Sequence, residues 1–416
     1  MPLRDTPSWD STYTVARCPP VPLEAVLLQT VAGGGSLSGR LGLSVAIDAD
    51  GDTALAGAVR HSPINLWEGG VGVYTRNASD VWSLQQVLVS SDHASTNYFG
   101  NAVALSADGD TAAIAFFSSV GAALAHNVEI WDRAGTVWTL TAQLIVPGDD
   151  STDGTGISLA LSHDGSVVAV GSYLDNDTFA DQGSITYWRK TAGVWGAGTK
   201  LYPTAPTASY NFGKGLSLDE AGDILVVGEP GAAASPNLAV GRAHYYTWDG
   251  SSYDLDATVT SGVDHNDQFG NAVDCTPIGD IVLFGSEYWD SGSINGKGKA
   301  FLYDEQAEVR DMQGTPGGAL DVYFGRSVSV SDDGAVVVIG APVYHQADSY
   351  PGTVYVFRIR PGQAELVAEV DPPTPTANAN FGNSVAVSGD GQYFVVGEPL
   401  IAAEAGAVHF YKIQAA

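Results

Sequence analysis

FGNSVAVSGDGQYFVVGE, residues 381–398, decides the fold, because the chain carries seven versions of it. The other six are LGLSVAIDADGDTALAGA (41–58), FGNAVALSADGDTAAIAF (99–116), TGISLALSHDGSVVAVGS (155–172), FGKGLSLDEAGDILVVGE (212–229), FGNAVDCTPIGDIVLFGS (269–286) and FGRSVSVSDDGAVVVIGA (324–341). Each has a Phe-Gly-like step, a short apolar run, a Gly-containing turn and a second apolar run. The glycines of the step are Gly42, Gly100, Gly156, Gly213, Gly270, Gly325 and Gly382, at intervals of 58, 56, 57, 57, 55 and 57 residues. So regular a period means one supersecondary unit repeated along a solenoid or around a ring.

Within each copy the signals are those of strands. Leu216-Ser217-Leu218 alternates up to a turn at Ala221-Gly222-Asp223, and Ile224-Leu225-Val226-Val227 then runs apolar to Gly228. Asp and Gly tolerate positive φ, so the equivalent pairs Asp50-Gly51, Asp108-Gly109, Asp164-Gly165, Gly279-Asp280, Asp333-Gly334 and Asp390-Gly391 read as hairpin turns. A third strand follows, as in Gly352-Thr353-Val354-Tyr355-Val356-Phe357, and a fourth opens on an aromatic, as in Trp82-Ser83-Leu84. Second strands such as Val336-Val337-Val338-Ile339 are apolar on both faces, as a sheet sandwiched between sheets requires. No stretch has the periodicity of an amphipathic helix.

Four strands in each of seven units predict an all-β, seven-bladed β-propeller of four-stranded antiparallel blades. Phe381 to Ala416 is a blade short of its fourth strand, while residues 21–40, VPLEAVLLQTVAGGGSLSGR, read as a fourth strand and its exit loop. Together they make one repeat, so the amino-terminal strand is expected to close the last blade and leave no raw edge. The expected organisation is an arm over 1–20 and a propeller over 21–416, with repeats starting near 41, 99, 155, 212, 269, 324 and 381.

The pattern resembles the FG-GAP family, whose repeats build the propeller of integrin α chains and other cell-surface proteins. The matching residues are the Phe-Gly steps at Phe99, Phe212, Phe269, Phe324 and Phe381, and the close at Gly340-Ala341-Pro342, with variants at Gly228-Glu229-Pro230 and Gly397-Glu398-Pro399. Leu41 and Thr155 depart from it. Calcium-binding members carry a longer Asp-x-Asp-x-Asp-Gly loop between the first two strands. Here that loop is a tight turn with one or two acids, too few for a shell of 6–8 oxygens, so the family's calcium sites are not carried over. The spacing from Tyr74 to Trp82 is also similar to kelch blades.

The formal charge is −29, from 47 Asp and Glu against 18 Lys and Arg. Such a surface repels phosphate backbones and anionic bilayers, which argues against nucleic acid as a partner and against membrane insertion. No apolar stretch reaches the length of a membrane span, and residues 1–15 contain no secretory h-region. Cys275, in an inner-strand position, reads as a small core residue rather than half of a disulfide with Cys18.

Loops from second to third strand, and from fourth strand to the next blade, share one face of a propeller and are the long, variable segments here. Their aromatic and acidic residues are the candidate ligand-binding set: Trp67, Tyr173, Asp175, Asp177, Tyr288, Trp289, Asp290, Tyr344 and His345. Rings beside carboxylates suit a sugar or a protein hot spot equally. Asp175, Asp177 and Asp181 are the candidate calcium ligands, with Asp149, Asp150 and Asp153 as a second set; no other cofactor is expected. Ser106-Ala107-Asp108-Gly109 is similar to the start of a sialidase Asp box but lacks its later Gly and Trp. There is no Gly-x-Ser-x-Gly elbow or His-Glu-x-x-His pair, and the eight His are scattered. The expectation is a non-enzymatic adhesion module, extracellular or on a cell or virion surface, binding a cell-surface glycan or protein. The alternatives are a structural subunit of a filament or virion and a propeller glycoside hydrolase or lyase.

Overall fold

The computed structural model of the chain describes residues 22–416 apart from 36, 94–95, 118–126, 151, 236–237, 262–266, 290–296, 305–306, 315–322 and 343–349. Seven antiparallel sheets follow one another as blades, each built outward from an inner strand that begins just after a Phe-Gly-like step. Blade 1 comprises Leu41–Ile47, Thr53–Ala58, Val71–Arg76 and Trp82–Leu88. The inner strands of blades 2 to 7 are Ala102–Leu105, Thr155–Leu161, Leu216–Leu218, Ala272–Cys275, Ser327–Val330 and Ser384–Val387. Each packs against the next and the last against the first, so the sheets form a ring around a central channel. Among the described residues no helix is long and apolar enough to cross a membrane.

Most of the described buried apolar residues fall into seven clusters, each lying between two neighbouring blades. Phe99, Phe212, Phe269, Phe324 and Phe381 are fully buried in them as wedges. The glycine after each wedge has φ of +85 to +90°, where a side chain is strained. Its carbonyl points at the previous blade, and a Cβ on Gly228 would lie 1.8 Å from the Gly270 oxygen. Inner-strand hydroxyls bind the same carbonyls: Ser158 Oγ donates to Gly213 O at 2.6 Å and Ser327 Oγ to Gly382 O at 2.9 Å. The step is therefore both a wedge and an inter-blade hydrogen-bond acceptor.

Leu23–Ala32 pairs antiparallel with Ala407–Ala415, in register from Leu23 opposite Ala415 to Ala32 opposite Ala407, with a bulge between Leu27 and Gln29. The amino-terminal strand thus completes blade 7, as expected. The seam to blade 1 repeats the other interfaces: Ser384 Oγ donates to Gly42 O at 2.9 Å, and Trp82 stacks on Phe410 at 4.3 Å between centroids.

Candidate functional site

Each inner strand starts at a Phe-Gly-like step on one face and ends at a tight turn on the other. The loops between second and third strands return to the first of these faces, shown by the parallel bridges Gly69–Phe99, Gly183–Phe212, Gly241–Phe269 and Gly298–Phe324. The residue just before the step is left-handed in all seven blades: Gly154 has φ 64°, and the non-glycines Arg40, Tyr98, Asn211, Gln268, Tyr323 and Asn380 have φ of 61, 50, 55, 53, 51 and 59°. Strain on this long-loop face therefore belongs to the repeat.

Trp67 is half-buried and also left-handed, at φ 52°. Its N–H donates to Ser62 Oγ at 2.9 Å, its ring centroid is 6.1 Å from that of Tyr98, and the Arg60 guanidinium covers it at 4.9 Å. Tyr98 continues to Phe117 at 6.4 Å, and Ile64 and Leu66 beside Trp67 are exposed. Across the ring, Tyr288 is exposed and meets Tyr323 edge-on at 5.3 Å. Trp289 packs into the cluster between blades 4 and 5, with the Lys299 ammonium 4.8 Å from its centroid. Asp290, Tyr344 and His345 lie outside the described residues.

Asp175 is fully buried, and its Oδ2 accepts from Ser184 Oγ at 2.6 Å and Lys200 Nζ at 2.7 Å. Asp177 Oδ2 accepts from Lys200 Nζ at 2.9 Å and Tyr202 OH at 2.6 Å. The lysine ammonium stands where a cation shared by these carboxylates would. Burial works against its charge, yet the two aspartates hold its pKa above the usual value, while the Tyr202 and Lys200 hydrogen bonds hold Asp177 below its own. Asp181 is left-handed at φ 52°, and its backbone carbonyl accepts from Asn211 N–H at 3.1 Å. In the second acidic set, Asp149 Oδ2 accepts from Asn127 Nδ2 at 2.6 Å, Asp150 Oδ1 from Thr152 N–H at 2.7 Å and Asp153 Oδ2 from Asp150 N–H at 3.0 Å. Among the described residues no three His, Cys, Asp or Glu gather as a metal site.

The FG-GAP repeat family model matches residues 82–119 and 316–357, stretches that hold the Phe99 and Phe324 steps. Those two stretches are FG-GAP repeats. Mouse (Mus musculus) Integrin alpha-2 is 31% identical over 131 residues, covering 28% of this chain and 11% of that protein, so the chain spans about a tenth of the curated relative it matches. Among solved structures, the RRP9 WD40 repeats superpose with a TM-score of 0.58 over 94% of this chain and 99% of theirs, at 12% identity. U3-55K gives 0.54 over 94% and 98%, also at 12% identity. At that identity these likenesses speak for the propeller alone.

The inner-hairpin turns on the opposite face are closed structurally. Ser106 Oγ donates to Asp108 Oδ1 at 2.6 Å and accepts from Thr111 N–H at 2.9 Å; Ser162–Asp164, Ser331–Asp333 and Ser388–Asp390 repeat the device. The Ser-x-Asp-Gly resemblance to an Asp box is thus a hairpin lock.

Two features escaped the sequence reading. Glu229 and Glu398, in the Gly-Glu-Pro variants, are buried against His244 at 3.0 Å and His409 at 2.9 Å, and each His Nδ1 reaches a threonine hydroxyl, Thr258 or Thr30, at 3.0 Å. A Gly-Glu-Pro followed by a third-strand His, in blades 4 and 7, was the available signal. The other is the channel. Its turn-side cavity, about 280 Å³, is lined by Asp48, His163, Asp274 and Asp332, with His163 Nε2 3.6 Å from Asp332. Its long-loop mouth, about 420 Å³, is lined by Lys214, Asn271 and Arg326 instead. The channel is acidic at one end and basic at the other.

Proposed function

We propose that this chain is a non-enzymatic recognition module that binds a glycan or a protein through its long-loop face, outside the cell or on a cell or virion surface. The observation that carries the reading is the aromatic run Trp67–Tyr98–Phe117, with exposed Ile64 and Leu66 beside it and Tyr288 across the ring. Trp67 and Tyr98 stand on left-handed backbone and pack against each other, so they lose little entropy on binding, and aromatic anchors carry much of the energy of such surfaces. The FG-GAP repeats and the partial likeness to an integrin α chain agree with a binding role. Among the predicted residues, Trp67 and Tyr288 are the anchors. Asp175 and Asp177 act through Lys200 by fixing the loop, and Tyr173, half-buried beside them, packs against the Gly154 turn.

The test is a glycan array and a surface-protein display library probed with the purified chain. A specific ligand is expected, with binding weakened at least about tenfold by Trp67→Ala or Tyr288→Ala at unchanged melting temperature. Binding that survives both substitutions, or turnover of a chromogenic glycoside, overturns the reading.

A further inference from the structure

The third position of the repeat gives the channel mouth one residue per blade: Leu43, Asn101, Ile157, Lys214, Asn271, Arg326 and Asn383. In a chain with 47 acids and 18 Lys and Arg, this ring holds no acid and two cations. Arg326 is balanced, its Nη1 donating to the buried Glu287 at 3.0 and 3.1 Å. Lys214 is not. It makes no hydrogen bond or ion pair among the described residues, whereas Lys190, Lys200, Lys299 and Lys412 each lie against an aspartate. Burial draws its ammonium below the usual pKa, with Glu287 attracting it and Arg326 repelling it. An ammonium so placed gains from a single negative charge brought beside it.

Asn271 is a second unanswered group. Asn101 and Asn383 donate from Nδ2 to carbonyls of the following blade, Gly156 O at 2.8 Å and Leu43 O at 3.0 Å. Asn271 is buried, and its Oδ1 has no partner. Rotating the carboxamide about its last bond puts an N–H2 donor at that point. Among the described residues, Lys214, Arg326 and Glu287 together leave one positive charge in excess beside a cavity of about 420 Å³.

We propose that the long-loop mouth of the channel is a binding site for a single carboxylate of an acidic ligand, with Lys214 as its charge partner and Asn271 as a hydrogen-bond donor. One negative charge neutralises the mouth; a dianion overshoots it within the field of a chain of charge −29. The inference stands apart from what the loops recognise, since it uses none of Trp67, Tyr98 or Tyr288.

The chain has six lysines, and reductive 13C-methylation keeps their charge while making each visible by NMR, with Lys214→Arg assigning the resonance. The probes are acetate and glucuronate, with glucose and sulfate as controls at constant ionic strength. The Lys214 signal is expected to shift saturably with both carboxylates, its titration midpoint rising by about one unit at saturation while the other lysines stay fixed. Asn271→Ala, which keeps the reporter, is expected to weaken the response at least tenfold. A larger response to glucuronate than to acetate assigns the carboxylate to an acidic sugar; equal responses assign it to the carboxylate alone. An unmoved Lys214 signal, an equal response to sulfate, or all lysines moving together overturns the proposal. Loss of carboxylate binding in Trp67→Ala also counts against it, because the loop face would then be the site.

Discussion

Asp48 ends the inner strand of blade 1, buried at the turn-side mouth of the channel. Its Oδ1 accepts from the N–H groups of Asp52 at 2.9 Å and Thr53 at 3.2 Å, and burial pushes its pKa up from 3.8 to about 7, against the pull of those donors. In the unfolded chain the group ionises near 3.8, so folding retains a proton between that value and about 7. Stability is therefore fully present at low pH and falls as pH rises through this window. Asp48→Asn keeps the accepting oxygen and removes the charge. Chemical unfolding at about pH 5 and about pH 8 should show the variant gaining on the wild type at the higher pH, by the order of 2 kcal/mol. An unchanged difference between the two pH values would mean that Asp48 ionises normally. Lys200 makes the opposite case. Lys200→Met leaves Asp175 buried without its counter-charge and should cost about 3–5 kcal/mol in thermal or chemical unfolding. Retained stability would show that the ammonium is dispensable. Asp175, Asp177 and Asp181 looked like cation ligands because they are near one another in sequence; the cation that two of them already hold lies more than 20 residues further on. Local spacing carries no trace of it.

At the level of the element, the repeat was legible because its rules are local. A glycine at φ near +87° and a wedge that must be apolar leave a Phe-Gly signature in one dimension, and the Ser-x-Asp-Gly lock leaves another. Irregular elements leave less. The fourth strand of blade 3 breaks into Val194–Trp195 and Thr199–Leu201 around Gly196-Ala197-Gly198, and the loop of blade 4 adds a small ribbon of Ala233–Ser235 with Leu238–Ala239. The channel ring was missed for another reason: its residues share the third position of the repeat, but they belong to seven different blades and meet only on closure. The inter-blade step itself is open to test at the seam. A Cβ on Gly397 would sit 1.9 Å from the Gly42 oxygen, and Ser384 Oγ binds that oxygen at 2.9 Å. Gly397→Ala must push two backbones apart and should lose about 3 kcal/mol, whereas Ser384→Ala should lose about 1 kcal/mol. Equal costs in equilibrium unfolding would show that the contact is softer than its geometry.

For the whole molecule, the decisive contact joins the two ends of the described chain. Leu23–Ala32 covers the outer edge of blade 7, and six seams would otherwise leave the seventh with an incomplete sheet. The strand covered is almost entirely buried from Ala407 to Tyr411, and the seam beyond it rests on Phe410 stacked against Trp82. Lys412 Nζ and Tyr393 OH also reach across to Asp80 of blade 1, at 2.8 and 3.0 Å. Deleting residues 1–32 removes one strand of ladder hydrogen bonds and uncovers an unpaired, apolar edge, the condition under which sheets pair with other chains. The truncated chain should melt at a lower temperature and run as dimers or larger species in light-scattering chromatography. A peptide of residues 22–33 added in excess should return it to a monomer of wild-type stability, because the docking strand is supplied in trans and binds only the folded ring. A truncated chain that stays monomeric and melts with the full one would place closure in the packing of blades 1 and 7, leaving the strand as a cover over a ring already shut.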